Sequence, residues 1–187
     1  KGGADVLDGG AGTDTASYST SAAGVTVNLS TGKGKGGDAE GDTLTSIENL
    51  IGSALGDTLT GDVNDNKIEG GAGDDVLEGK GGQDTLTGGA GKDIFRISQE
   101  SSGNHVATIT DFEVGVDKID LQAFAMGTDI DQISITENGG DTTLKMDDYN
   151  KIVLKGVPSI SISASDFVAA SDSTKKTGSG LTSKFLF

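Results

Sequence analysis

The sequence predicts an all-β fold, a parallel β-roll (a β-solenoid) followed by a β-rich C-terminal cap. Three observations carry this. Nine-residue units repeat without losing phase, each unit places an apolar residue at the same position, and after the repeats the pattern changes to longer strands separated by glycine and aspartate turns.

The uninterrupted repeats run from Gly52 to Arg96 as GSALGDTLT, GDVNDNKIE, GGAGDDVLE, GKGGQDTLT and GGAGKDIFR. Their sixth positions are Asp57, Asn66, Asp75, Asp84 and Asp93, and their eighth positions are Leu59, Ile68, Leu77, Leu86 and Phe95. A helix would scatter a nine-residue apolar period around its axis and would be weakened by the glycines. A coil of short strands uses it well: each unit gives a turn of about six residues and a three-residue strand whose central side chain points inward. Two units then close one coil, so residues eighteen apart stack about 4.8 Å from each other. Asp57, Asp75 and Asp93 fall in one ladder, and Asn66 and Asp84 in the other.

Upstream, KGGADVLD and GGAGTDTAS continue the pattern, with Asp5 and Asp14 at position six and Leu7 and Ala16 at position eight. The first unit lacks its opening glycine, so the chain reads as a fragment of something longer. Leu59 follows Ala16 by 43 residues, which is not a multiple of nine, and an insertion at about 18–51 is expected to interrupt the roll. Within it Val25, Val27 and Leu29 alternate as a strand would, with Val25 nine residues after Ala16. TGKGKGGDAEGD, ending at Asp42, reads as a protruding loop, and Leu44, Ile47, Leu50 and Ile51 can rejoin the stack. Asp38, Glu40 and Asp42 read as a solvated acidic loop ahead of a further cation site.

After Arg96 the strands HVATITDF, DKIDL, QISIT, TTLKM and KIVLKGV make up a capping region over 97–170, with Phe95 expected as the last apolar layer of the roll. Asp147, Asp148 and Tyr149 lie in an expected hairpin turn. Residues 171–187, rich in Ser, Thr, Gly and Lys and ending KFLF, read as a flexible tail.

Composition limits the function classes. The formal charge of −15 disfavours nucleic acid and anionic membranes, no stretch approaches the length of a membrane span, and there is no cysteine for disulfides, thiolate metal sites or nucleophiles. The 31 glycines and 4% aromatics leave little for a conventional core, so something else must hold the coils together. His105 has no HExxH context and no G-x-S-x-G occurs, so the fragment reads as non-enzymatic.

The regular acids point to calcium. Calcium takes six to eight hard oxygens in flexible geometry, which carboxylates and turn carbonyls of successive coils supply, whereas zinc would want the absent histidines and cysteines. The candidate ligands are Asp5, Asp14, Asp57, Asn66, Asp75, Asp84 and Asp93. With them go the turn glycines Gly70, Gly71, Gly73, Gly79, Gly82, Gly88, Gly89 and Gly91, expected to take φ > 0 and aim their carbonyls at one point. Asn66 is a neutral ligand in place of a charged one.

These nonapeptides resemble the established RTX repeats of hemolysin-type toxins, serralysin-like metalloproteases, lipases, adhesins and mannuronan epimerases. ITDFEVGVDKIDL, KIVLKGV and ASDFV are similar to the C-terminal part of serralysin-like proteases. The resemblance implies several calcium ions bound by the aspartates and turn carbonyls, folding outside a Gram-negative cell, and type I secretion with the tail as part of its signal. It further implies a scaffold, stabiliser and export module; the alternative is a module that binds an anionic polysaccharide or cell surface, through outward residues such as Lys67, Lys92 and Arg96.

Overall fold

A computed structural model describes residues 2–124 and 133–168. The described strands are β1 (Val6–Asp8), β2 (Thr15–Ser17), β3 (Thr26–Asn28), β4 (Lys33–Lys35), β5 (Thr43–Thr45), β6 (Asn49–Ile51), β7 (Thr58–Thr60) and β8 (Lys67–Ala72). They continue as β9 (Val76–Glu78), β10 (Gln83–Ala90), β11 (Ile94–Arg96), β12 (His105–Ile109), β13 (Lys118–Asp120), β14 (Ser134–Asn138), β15 (Asp141–Lys145) and β16 (Asn150–Leu154). The tail from 171 lies outside the described residues.

The strands form two eight-stranded sheets, ordered β1-β5-β4-β3-β7-β9-β11-β13 and β2-β6-β8-β10-β12-β16-β15-β14. From β7 to β13 the chain alternates strictly between sheets, and neighbours within a sheet run parallel, which is the β-roll. The eighteen-residue stagger is explicit in the pairs Leu59↔Leu77, Leu77↔Phe95 and Ile68↔Leu86. The stacked inward side chains form two facing rows: Val27, Leu59, Leu77, Phe95 and Ile119 from one sheet, and Ala16, Leu50, Ile68, Leu86, Ile109 and Leu154 from the other. Burial of these rows is the main apolar contribution, and each layer is covered mostly by the layers beside it.

Three expectations change. The stretch expected to protrude before Asp42 supplies β4, which pairs antiparallel with both β3 and β5, and a short 3-10 turn, Gly37–Ala39, that buries Ala39 completely. Val27, not Val25, stacks on Leu59, because the connection from β2 to β3 is two residues longer than a nonapeptide allows. Phe95 is not the last layer: Ile119 of β13 stacks on it in parallel register, and Phe112 packs against its ring at 6.1 Å between centroids. Beyond β13 the ordering turns antiparallel at β14 to β16, with β16 still parallel to β12. Among the described residues no helix is long and apolar enough to cross a membrane.

Candidate metal centres

The sixth-position residues sit just before a strand or, for Asp84, at its start, where the turn hands over to extended backbone. Each is carried on a ladder by a bond between coils: Asp57 N–H donates to Asp75 Oδ1 (2.8 Å), Asp75 N–H to Asp93 Oδ1 (3.0 Å), and Asn66 N–H to Asp84 Oδ1 (2.9 Å). One carboxylate oxygen is thus committed to stacking. The other decides the chemistry.

For Asp75 and Asp93 the second oxygen, Oδ2, is buried and has no hydrogen-bond partner; the same holds for Asp14 Oδ2 in the partly buried first turn. Burial, the largest cause, pushes the Asp75 carboxyl up to about 7 and that of Asp93 up to about 6, against the pull of the ladder bonds and with help from neighbouring acids. Asp84 is pushed up to about 7 by burial first and by Asp65 and Asp62 after it. A bare carboxylate in such a place is unstable, and a proton or a cation would relieve it.

The surroundings fit a hard cation. A methyl group on Gly70 would collide with Asp75 Oδ2 and with the carbonyl oxygen of Gly88, so a carboxylate oxygen of one turn and a carbonyl of the next coil converge beside that glycine. Gly88 faces Asp93 Oδ2 and Gly79 faces Asp84 Oδ2 just as closely. These oxygens are the donor set calcium favours. Among the described residues no three His, Cys, Asp or Glu side chains converge as a metal cluster.

The glycines divide into two groups that sequence reasoning had merged. Gly71, Gly73, Gly82, Gly89 and Gly91 have φ between 84° and 151°, as expected. Gly70, Gly79 and Gly88 do not; they are glycine because the carboxylate leaves no room for a Cβ. Lys80 takes the second turn position of its repeat with φ 76°, a conformation costly for a side chain.

The remaining predicted positions differ from this pattern. Asp57 is saturated by protein donors: Oδ1 accepts from Val25 N–H (2.6 Å) and Ser53 Oγ (3.0 Å), and Oδ2 from Ser53 N–H (2.5 Å). Asn66 uses its amide to donate to Glu48 O (2.9 Å). Asp5 lies exposed at the sheet edge. Of the insertion acids, Glu40 accepts from Gly36 N–H (2.8 Å), and Asp42 is buried and hydrogen-bonded rather than solvated.

Nine-residue phase missed several ladder members. Asp42, Glu48 and Asp117 accept N–H bonds from Asp5 (2.8 Å), Asp14 (2.8 Å) and Asp93 (3.0 Å). Asp111 clamps the 88–93 turn by accepting from Gly88 N–H (3.0 Å) and Gly89 N–H (2.8 Å). A local signal was available: Asp42, Asp57, Asp75, Asp93 and Asp117 each stand two residues before an inward apolar side chain, whatever the spacing between units. His105 is half-buried at the start of β12; its Nδ1 accepts Gly82 N–H (2.9 Å) and its Nε2 contacts Ser102 O. Asp147 does lie in the β15–β16 turn, accepting from the N–H groups of Tyr149 (2.8 Å) and Asn150 (2.7 Å).

The profile of the family described as peptidase M10 serralysin C terminal matches residues 4–175. Among solved structures, the chain is similar to the AlgE6R3 subunit of the Azotobacter vinelandii mannuronan C5-epimerase, with 28% identity, TM-score 0.29, and coverage of 70% of this chain and 88% of that one. It is also similar to the extracellular lipase LipA of Serratia marcescens, with 20% identity and TM-score 0.42, covering 90% of this chain and 34% of the lipase. The chain therefore spans about a third of that lipase.

Proposed function

The chain belongs to the peptidase M10 serralysin C-terminal family, and on that premise we propose that it is the calcium-binding, non-catalytic β-roll domain of a secreted protein. The observation that carries this reading is the pair of buried, unpartnered oxygens, Asp75 Oδ2 and Asp93 Oδ2, stacked in one ladder beside turn carbonyls.

Asp75, Asp93, Asp84 and Asp14 are the acids that would hold the ions, with carbonyl oxygens from the 70–75, 79–84 and 88–93 turns completing the set. Asp57 and Asn66 contribute less, since their side-chain atoms already have protein partners. Bound calcium supplies charge neutralisation and a cross-link between successive coils. The residues themselves hold the frame: ladder N–H bonds set the rise, and the glycines keep the acids' second oxygens clear. The nonapeptide repeats of the roll lie within residues 1–96, interrupted at about 18–51, and 97–170 form the cap, whose β12 and β13 extend the parallel stack. The protein leaves a Gram-negative cell by type I export with low cytosolic calcium keeping the roll open, and folds outside, where it serves as scaffold and stabiliser for an enzyme carried on the same chain.

The reading as a module for an anionic polysaccharide ranks lower. Two of the three outward cations are engaged, Lys67 with Glu69 (2.6 Å) and Arg96 with Asp120 (3.0 Å). Calcium titration of chelator-stripped protein, followed by circular dichroism with magnesium as control, tests the proposal. Disorder should give way to β structure with calcium and far less with magnesium; a folded spectrum in excess chelator would sink it. Binding of alginate that falls on neutralising Lys67, Lys92 and Arg96 would reverse the ranking.

A further inference from the structure

The first coil repeats the ladder with one atom's surroundings changed. Asp5 N–H donates to Asp42 Oδ1 at 2.8 Å, the same bond that joins Asp57 to Asp75. Asp42 and Asp75 are equally buried, each 1% exposed. Their second oxygens differ. Asp75 Oδ2 has no partner, whereas Asp42 Oδ2 accepts a hydrogen bond from the Tyr18 hydroxyl at 3.0 Å.

Tyr18 is fixed in that place by its own backbone. It follows β2 directly, donates its N–H to Ile51 O (2.8 Å), and accepts Ser21 N–H at its carbonyl (2.9 Å). The ring is buried with Val25, Val27, Ala39 and Leu44 in the core. Burial, then the Asp42 carboxylate, hold the phenol well above the usual tyrosine range, so it stays a proton donor. A hydrogen bond to an ionised acceptor is roughly twice as strong as a neutral one and keeps the buried charge without any ion.

The insertion that surrounds this pair is built differently from the coils below it. β3, β4 and β5 pair antiparallel with neighbours close in sequence, and local pairs of that kind form early. Gly34 N–H donates to Asp42 O (3.0 Å) and Thr43 N–H to Asp5 O (2.9 Å), so hairpin, first coil and Asp42 make one hydrogen-bonded unit.

Resting on the calcium reading above, we propose that Tyr18 frees the Asp42 rung from calcium. Its hydroxyl takes the place that the cation takes at Asp75 and Asp93. The Asp5 side of the first coil and the insertion therefore lock together in the metal-free chain, while Asp14 on the other side of that coil keeps its need for a cation, and the calcium-dependent coils assemble on that ordered base.

Amide hydrogen exchange of the full chain, stripped with chelator and again saturated with calcium, tests this. In chelator the amides of Asp5, Tyr18, Gly34 and Thr43 should be protected at least about tenfold more than those of Asp57, Val76 and Ile94, the excess expected from one satisfied buried carboxylate. Tyr18→Phe should erase that excess, and adding Asp42→Asn to it should restore part, because the orphaned charge is then gone. Equal exchange of both sets in chelator, or no change in the first set on Tyr18→Phe, would overturn the inference while leaving the calcium reading intact. If calcium fails to protect Asp57, Val76 and Ile94 in the wild type, the calcium reading itself falls. Should Tyr18→Phe not fold even with calcium, Asp42→Asn alone is decisive: protection kept in chelator supports a charge that Tyr18 serves, and protection lost refutes it.

Discussion

Replacing Asp75 with Asn should change sign with calcium. The amide keeps the size and the Oδ1 that accepts Asp57 N–H, and the other ladder already carries an amide at Asn66, held by Asp62 N–H on its Oδ1 and by Glu48 O. What changes is the charge. The rise of the Asp75 carboxyl from its ordinary 3.8 to about 7 corresponds to a cost on the order of 4 kcal/mol for the bare ion above pH 8. An amide nitrogen left short of a partner returns about 1–3 kcal/mol of that. In chelator at pH 8, Asp75→Asn should therefore be more stable than wild type by about 1–3 kcal/mol. With calcium the order inverts, since the variant lacks an anionic oxygen shared by adjacent coils, and the calcium midpoint should rise about tenfold or more. Urea unfolding followed by circular dichroism, with an excluded osmolyte in both chelator samples to bring them into range, measures the first effect, and calcium titration the second. A variant less stable than wild type in chelator would refute the claim that this carboxylate is costly when bare. An unchanged calcium midpoint would refute its role as ligand.

Other expectations follow from the same geometry. Because Asp75, Asp84 and Asp93 have folded values raised above 3.8, their contribution to the metal-free fold is present below that value and lost as pH rises towards about 7, so the dialysed chain should hold more β structure at pH 5 than at pH 8 by circular dichroism. With calcium the trend should reverse, since protons then compete with the ion. Lys80→Gly removes a side chain from φ 76° at the loss of one partly exposed ion pair with Glu78, and should raise the melting temperature by a few degrees, about 1 kcal/mol. Gly89→Ala, by contrast, would meet the Gly71 carbonyl as well as a φ of 102° and should cost far more than Gly10→Ala, where φ is 82° and no neighbour intrudes; thermal melts of the pair separate steric clash from backbone strain. Phe112→Ala should cost about 3–5 kcal/mol and raise the calcium needed for folding, because its ring covers Phe95; an unchanged calcium titration would show the segment after 97 to be energetically separate from the roll.

The nine-residue phase by itself determined the coil, the inward rows and the identity of the acids at sixth positions. A strand's two-residue alternation and a fixed turn length leave one way to stack Leu59, Leu77 and Phe95. Tertiary structure alone decided which of those acids lack a partner. Asp57 and Asp75 are indistinguishable as letters in a repeat, yet Ser53 and Val25 saturate the first, while the GGAG turn before Asp75 presents no hydroxyl to its second oxygen. The hairpin of β3 and β4 was likewise invisible to a search for periodicity. Its position is set by long-range contacts, with Val27 seated on Leu59 and Tyr18 reaching across 24 residues to Asp42. Periodicity records what each residue does for its own coil. The fate of a carboxylate's second oxygen depends on what another coil, or a cation, brings to it.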